Sequence, residues 1–105
     1  MSRDRMVKFT LKSTEDLAKM REAGKAVAAA LKAMKDAAQP GVSTLDLDVL
    51  AGEILACFGA VSALKNYQPP FSDIRYLHNS CISINNEVLH GVPKADRFIR
   101  DGDVV

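Results

Sequence analysis

Cys81-Ile82-Ser83-Ile84-Asn85-Asn86-Glu87-Val88-Leu89-His90-Gly91-Val92-Pro93 is where a helical pattern gives way to an extended one. Ile82 and Ile84 alternate with Cys81 and Ser83, so on extended backbone the isoleucines face one way and the thiol and hydroxyl the other. Asn85-Asn86 is a turn or bulge signal. Glu87 to His90 resumes extended structure, and Gly91-Val92-Pro93 breaks it. Ala95 to Arg100 reads as a polar connection, Asp101-Gly102-Asp103 as a turn, and Val104-Val105 as the opening of a further strand.

Working back toward the N-terminus, helices take over. Ser43 or Thr44 starts one, with Asp46 behind it; Leu47, Leu50, Ala51, Ile54 and Phe58 form its apolar face, and Gly59 suits its C-terminal cap. Asp46 and Asp48 are two apart, so they do not share a helix face and read as a solvated first turn. Before it, Ser13 with Asp16 three residues on gives a capping-box spacing. Leu17, Met20, Val27, Leu31 and Met34 then recur at helical spacing and read as a core stripe, with Ala23, Gly24, Ala28, Ala29 and Ala30 small enough for another element to pack closely. Gln39-Pro40-Gly41 ends that helix. Residues 1–12 read as a loose arm, and Val7, Phe9 and Leu11 alternate as a short edge strand would. Helices followed by strands predict an α/β (α+β) class, two helices packed on a mainly antiparallel sheet.

The chain has 105 residues, 48% of them hydrophobic and 26% charged, which excludes a wholly disordered chain, a collagen-like repeat and a disulfide miniprotein. A net charge of +1, 6% aromatic residues and no Trp argue against direct nucleic-acid binding. No apolar run approaches the roughly 20 residues of a membrane span. Cys57 and Cys81 match no zinc spacing and read as reduced thiols of a cytoplasmic protein.

Few residues carry chemistry by themselves. HExxH, CxxC, GxSxG and a Gly-rich phosphate loop are all absent, and Asp101 and Asp103 form a solvated turn rather than a calcium loop. Tyr67-Gln68-Pro69-Pro70-Phe71 is a rigid aromatic loop, suited either to lining a pocket or to capping a core. His90 precedes a backbone break at Gly91 and Pro93, where an imidazole can face a cleft and hydrogen-bond or protonate a reacting amide near neutral pH. His78 reads as a surface residue.

The pieces are more specific together. Leu11-Lys12-Ser13, Met20-Arg21-Glu22-Ala23-Gly24, Pro40-Gly41-Val42-Ser43-Thr44-Leu45-Asp46-Leu47-Asp48, Cys81-Ile82-Ser83-Ile84-Asn85, His90-Gly91-Val92-Pro93 and Asp101-Gly102-Asp103-Val104-Val105, in that order and spacing, resemble type I methionine aminopeptidase from about residue 9 onward. The resemblance implies the pita-bread fold and removal of the initiator methionine from nascent chains, with the ribosome as the setting in which such chains are met. It implies two divalent metal ions (cobalt, manganese, iron, zinc or nickel) bridging the water that attacks the first peptide carbonyl. It makes His90 the catalytic residue at the scissile amide. It also places Cys81, Tyr67 and Phe71 with His90 around the methionine side chain, where a thiol suits a thioether neighbour.

The family's five metal ligands have no counterparts here; the first would come about three residues beyond Val105. The segment from Tyr67 to Cys81 is longer than the family pattern, and Asn85-Asn86-Glu87 stands where the family has Asn-Glu-Val. Residues 1–105 are therefore expected to form one partial domain, the N-terminal half of the catalytic domain, without activity or bound metal of its own and prone to self-association through uncovered edges. A non-catalytic pita-bread-like module that binds nascent chains or a protein partner is the alternative. A proline-specific dipeptidase of the same superfamily fits less well, given the CIS motif and short arm.

Overall fold

A computed structural model describes residues 9–105. Part of the proposed edge strand, Val7 included, lies outside the described residues. Two helices are present, α1 (Thr14–Ala37) and α2 (Thr44–Cys57). Each opens on a reciprocal capping box. The Ser13 hydroxyl accepts from the Asp16 N–H at 3.0 Å while the Asp16 carboxylate accepts from the Ser13 N–H at 3.0 Å. Ser43 and Asp46 repeat the exchange at 3.0 and 3.2 Å. Such caps satisfy otherwise orphaned N–H groups, and each contributes about 1 kcal/mol. α2 ends as its sequence foretells: Gly59 takes a φ of 68°, and the N–H groups of Gly59 and Ala60 return to the carbonyls of Ala56 and Leu55.

The short link between the helices is held by a segment far along the chain. The Gly41 N–H donates to the Ile99 carbonyl at 2.8 Å, and the Ile99 N–H to the Val42 carbonyl at 2.9 Å. Thr44, almost wholly buried, exchanges hydrogen bonds with the backbone of Lys94 at 2.8 and 3.2 Å. The core lies in two small clusters. Leu47, Ile82, Ile84 and Ile99 form one, with Met34, Ala37, Ala38 and Val42 against it; Ala26, Ala30 and Leu55 form the other. Burying each Leu or Ile contributes roughly 1.5–3 kcal/mol.

The expected two helices on a mainly antiparallel sheet, in an α/β (α+β) class, are not what the described residues form. They contain no strand, and their one ladder contact is an isolated antiparallel bridge between Ser43 and Phe98. Alternation told the faces of residues 81–84 correctly, since Ile82 and Ile84 are buried and Cys81 is exposed. It could not supply successive partners. The ladder bonds occur singly: the Ile82 N–H donates to the Gly91 carbonyl at 2.8 Å, and the Asn85 N–H to the Val104 carbonyl at 2.9 Å. Between them the Asn85-Asn86 turn, with Asn85 at a φ of 56°, and His90, at a φ of 58°, break the extended run. Phe9 and Leu11 are exposed and form no strand.

The stripe on α1 also differs from expectation. Leu17, Met20, Val27 and Leu31 are 40–60% exposed, whereas Ala26 and Ala30 are buried. The buried alanines lie about a third of a turn around the helix from that stripe. Their small side chains let α1 approach Leu55 of α2.

Of the glycines, Gly91 makes the closest approach to its surroundings. A Cβ there would lie 2.0 Å from the Ile82 carbonyl oxygen, while Gly24, inside α1, has nothing within 4 Å. Gly91→Ala should therefore destabilise the chain by at least about 2 kcal/mol. Gly24→Ala should stabilise it by about 0.5–1 kcal/mol through helix propensity. Urea denaturation of the two variants checks the opposite signs.

Candidate functional site

The single bond between Ile82 and Gly91 has a consequence for their neighbours. It pins the backbone beside Cys81 to the backbone beside His90. The Ser83 hydroxyl reinforces it by accepting from the Gly91 N–H at 3.0 Å. His90 itself sits in the left-handed region, at a φ of 58°, a conformation that His adopts more readily than most residues but that still stores of order 1–3 kcal/mol. Strain of this kind is kept only where surrounding bonds over-determine it.

The second wall comes from the Pro-rich loop. Its two ends are tied together: the Tyr76 N–H donates to the Tyr67 carbonyl at 2.8 Å, and the Asn66 N–H to the Tyr76 carbonyl at 2.6 Å. Inside the loop the Gln68 amide donates to the Ser72 carbonyl at 2.9 Å. The loop thus stands as a lobe facing residues 81 and 90. Between them lies an open cleft of about 480 Å³. All four residues singled out from the sequence, His90, Cys81, Tyr67 and Phe71, line it. Phe71 is 90% exposed, so it forms the rim rather than the floor. Cys81 and His90 also border a second recess toward Asn85 and Val104.

Two residues important to the site escape sequence reasoning. Tyr76 lines the cleft, and its hydroxyl donates to the Ser80 carbonyl at 2.7 Å. Burial, then the neighbouring Cys81 thiol and the Asp48 charge, push its phenol well above the ordinary value of 10.0. The sequence signal is an aromatic residue returning nine positions after Tyr67, visible only once the loop is known to close. The other is Asp48, which is not part of a solvated turn but 3% exposed. Its carboxylate accepts from the Asn79 N–H at 3.1 Å, the Ser80 N–H at 2.7 Å and the Ser80 hydroxyl. The Asn79 side-chain amide approaches both its backbone and side-chain oxygens, at 3.3 and 3.4 Å. His78, expected at the surface, is partly buried, with Nδ1 3.8 Å from Asp48 and its ring edge-on to Tyr76 at 5.5 Å. Asp46, by contrast, is exposed and serves the cap. Glu87 accepts from the Ile84 N–H at 3.1 Å, a local structural bond outside the cleft.

The sequence pattern of metallopeptidase family M24 matches residues 18–105. The chain belongs to this family. Among similar proteins, a methionine aminopeptidase of Aquifex aeolicus is 45% identical over 95 residues, which are 90% of this chain and 37% of that protein. One from Mycoplasma capricolum is 41% identical over 92% of this chain and 36% of its own length. The crystal structure of methionine aminopeptidase from Thermotoga maritima superposes with a TM-score of 0.83 at 32% identity, covering 91% of this chain and 36% of that one. The chain thus spans little more than a third of the length of these relatives.

Membership of a metallopeptidase family implies metal ions in its full-length members. The residues present do not fit such a centre: among the described residues, no group of three His, Cys, Asp or Glu side chains could hold a metal ion. What this M24 chain does carry is an aromatic, thiol-bearing and imidazole-bearing cleft, suited to holding an unbranched apolar side chain with a hydrogen-bonding group beside it. Among the described residues no helix is long and apolar enough to cross a membrane.

Two outcomes are expected from this geometry. Asp48→Ala leaves the half-buried Asn79 and Ser80 N–H groups without their acceptor, and should cost about 2–4 kcal/mol. Hydrogen exchange should show those two amides losing protection; unchanged protection would contradict their dependence on Asp48. The raised Tyr76 phenol means that the folded state favours its neutral form. That contribution is complete below about pH 10, the unfolded value, and is lost as pH rises toward the folded value. Absorbance at 295 nm should show one tyrosine ionising above the range of the free amino acid, with stability declining over the same alkaline interval.

Proposed function

We propose that the chain supplies the methionine-binding cleft of a methionyl aminopeptidase, an enzyme that removes the N-terminal methionine of newly made proteins in the cytoplasm. The single observation supporting this most strongly is that His90, Cys81, Tyr67 and Phe71, separated by up to 23 residues in sequence, share one cleft. The methionine side chain lies among Tyr67, Tyr76 and Cys81, where sulfur meets aromatic edges and a polarisable thiol. Phe71 covers it from the rim. His90 reaches the amide on the carboxyl side of that methionine and hydrogen-bonds its nitrogen, donating a proton as the bond breaks. Divalent metal ions held by the rest of the whole protein would supply the activated water for hydrolysis. The free, exposed thiols Cys57 and Cys81 suit a reducing compartment, and the peptide substrates are the chains released there by the ribosome.

Cys81 offers a direct readout, because Cys57 is also exposed yet lies outside the cleft and serves as an internal reference. Methionine amide should slow alkylation of Cys81 by iodoacetamide severalfold at saturation, measured residue by residue by mass spectrometry, and leave Cys57 unaffected. Lysine amide should protect neither thiol. A Cys81 rate unchanged by methionine amide, or slowed equally by both amides, would contradict the assignment.

A further inference from the structure

We propose that this chain associates as a two-fold dimer through the outer face of α1, packed antiparallel against the α1 of a second copy. The face shares no residue with the methionine cleft, so the two assignments stand or fall separately.

Leu17, Met20, Gly24, Val27, Leu31 and Met34 recur at alternating spacings of three and four, the pattern of a helix seam that meets another helix. α2 does not meet it, since α2 approaches beside Ala26 and Ala30. Leu17, Met20, Val27 and Leu31 thus stay 40–60% exposed. Apolar side chains between residues 61 and 92 are exposed as well, but they are scattered over loops, whereas those of α1 form one row on a 24-residue helix. Gly24 lies in the same row. Glycine is a poor residue for a helix interior, yet nothing lies within 4 Å of the place its Cβ would take. Packing inside the chain gives no reason for a glycine there; the close approach of a second helix does.

The row is its own complement. Reversing α1 about its midpoint sets Leu17 against Met34, Met20 against Leu31 and Gly24 against Val27 of the second copy. A two-fold contact requires this self-matching. The reversal also opposes the helix dipoles and brings the first turn, with Glu15 and Asp16, beside the last turn, with Lys35. Among the described residues Lys35 is in no ion pair. Leu31 and Met34 stand between two recesses of about 320 and 330 Å³, one reaching Leu47 and Ile82, the other Leu55 and Val61. Leu17 and Met20 of the second copy project toward them. A helix face, not a strand edge, carries the contact, because the described residues contain no strand.

The exposed area is large enough. The chain exposes 8524 Å², whereas a compact monomer of 11.4 kDa exposes roughly 5,800 Å². Residues 1–8 account for at most about 1,500 Å² of the difference. The remainder exceeds the roughly 800 Å² that each partner of a stable complex covers.

Sedimentation velocity of the full chain over about 5–500 µM should show 11.4 kDa giving way to twice that mass, with no larger species. Val27→Asp places a charge in the seam and should weaken association at least about tenfold. Gly24→Leu, which has open space within the monomer, should weaken it with helicity retained by far-UV circular dichroism. Leu77→Asp, at an exposed position away from α1, should leave it intact. Direction is read by oxidising a mixture of Met20→Cys and Leu31→Cys chains, each also carrying Cys57→Ser and Cys81→Ser; mass spectrometry should find the mixed disulfide in excess. A monomer at every concentration, assembly that continues past two copies, a dimer indifferent to Val27→Asp and Gly24→Leu, or a preference for the Met20→Cys homodimer would overturn the proposal. A monomer would leave the face to a different partner.

Discussion

The carboxylate of Asp48 couples the helical part of the chain to the wall of the cleft. It projects from the second turn of α2 into a place closed to water and collects the N–H groups of Asn79 and Ser80. The next residue is Cys81. Its position relative to His90 depends on where Ser80 is held, and Ser80 also receives the Tyr76 phenol at its carbonyl. A buried carboxylate is costly without partners and stabilising with them, so the arrangement tolerates little displacement. The α1–α2 frame, the 76–81 segment and the tyrosine wall of the cleft therefore share one anchor.

A second constraint, steric rather than electrostatic, fixes the opposite wall. Gly91 passes so close to Ile82 that no side chain fits between them. That approach lets the Ile82 N–H reach the Gly91 carbonyl, and it brings Cys81 and His90 to one opening even though no regular sheet carries them. The left-handed backbone of His90 is the local cost of this path. Both anchors act on segments, rather than on an extended ladder, and this explains how a chain without strands among its described residues takes the same path as an M24 relative at a TM-score of 0.83.

Local sequence rules succeeded where the partners are local. The Ser13–Asp16 capping box, the Gly59 cap and the Asn85-Asn86 turn rest on residues within a few positions of one another and were legible, whereas the start of α2 was left open between Ser43 and Thr44 until its own box showed Ser43 as the cap. Periodicity was less informative about what covers each face. It marked Leu17, Met20, Val27, Leu31 and Met34 as the inner stripe of α1; Met34 does pack on the core, but the other four are largely exposed and α2 approaches the alanine side, where small residues permit closeness. Alternation gave the facing of Ile82 and Ile84 without revealing that their ladder bonds stay single. Asp48 was illegible for a related reason: its partners lie 31 and 32 residues away, and an acid near the start of a helix ordinarily faces water. Local signals mark His90, ahead of the Gly91–Pro93 break, and Tyr67 and Phe71 on the Pro-rich loop, but only the family resemblance adds Cys81 and joins the four into one site; Tyr76 becomes legible only once the loop closes on itself.

The central claim is that a methionine side chain occupies the cleft between the 67–76 lobe and the Cys81–His90 wall. Intermolecular nuclear Overhauser effects from the ε-methyl protons of bound methionine amide test it most directly. The account predicts cross-peaks to the ring protons of Tyr76 and Tyr67 and to the imidazole of His90. Cross-peaks instead to methyl groups of Ala26, Leu31 or Leu55, in the groove beside the helices, or no cross-peaks at saturating ligand, would contradict it.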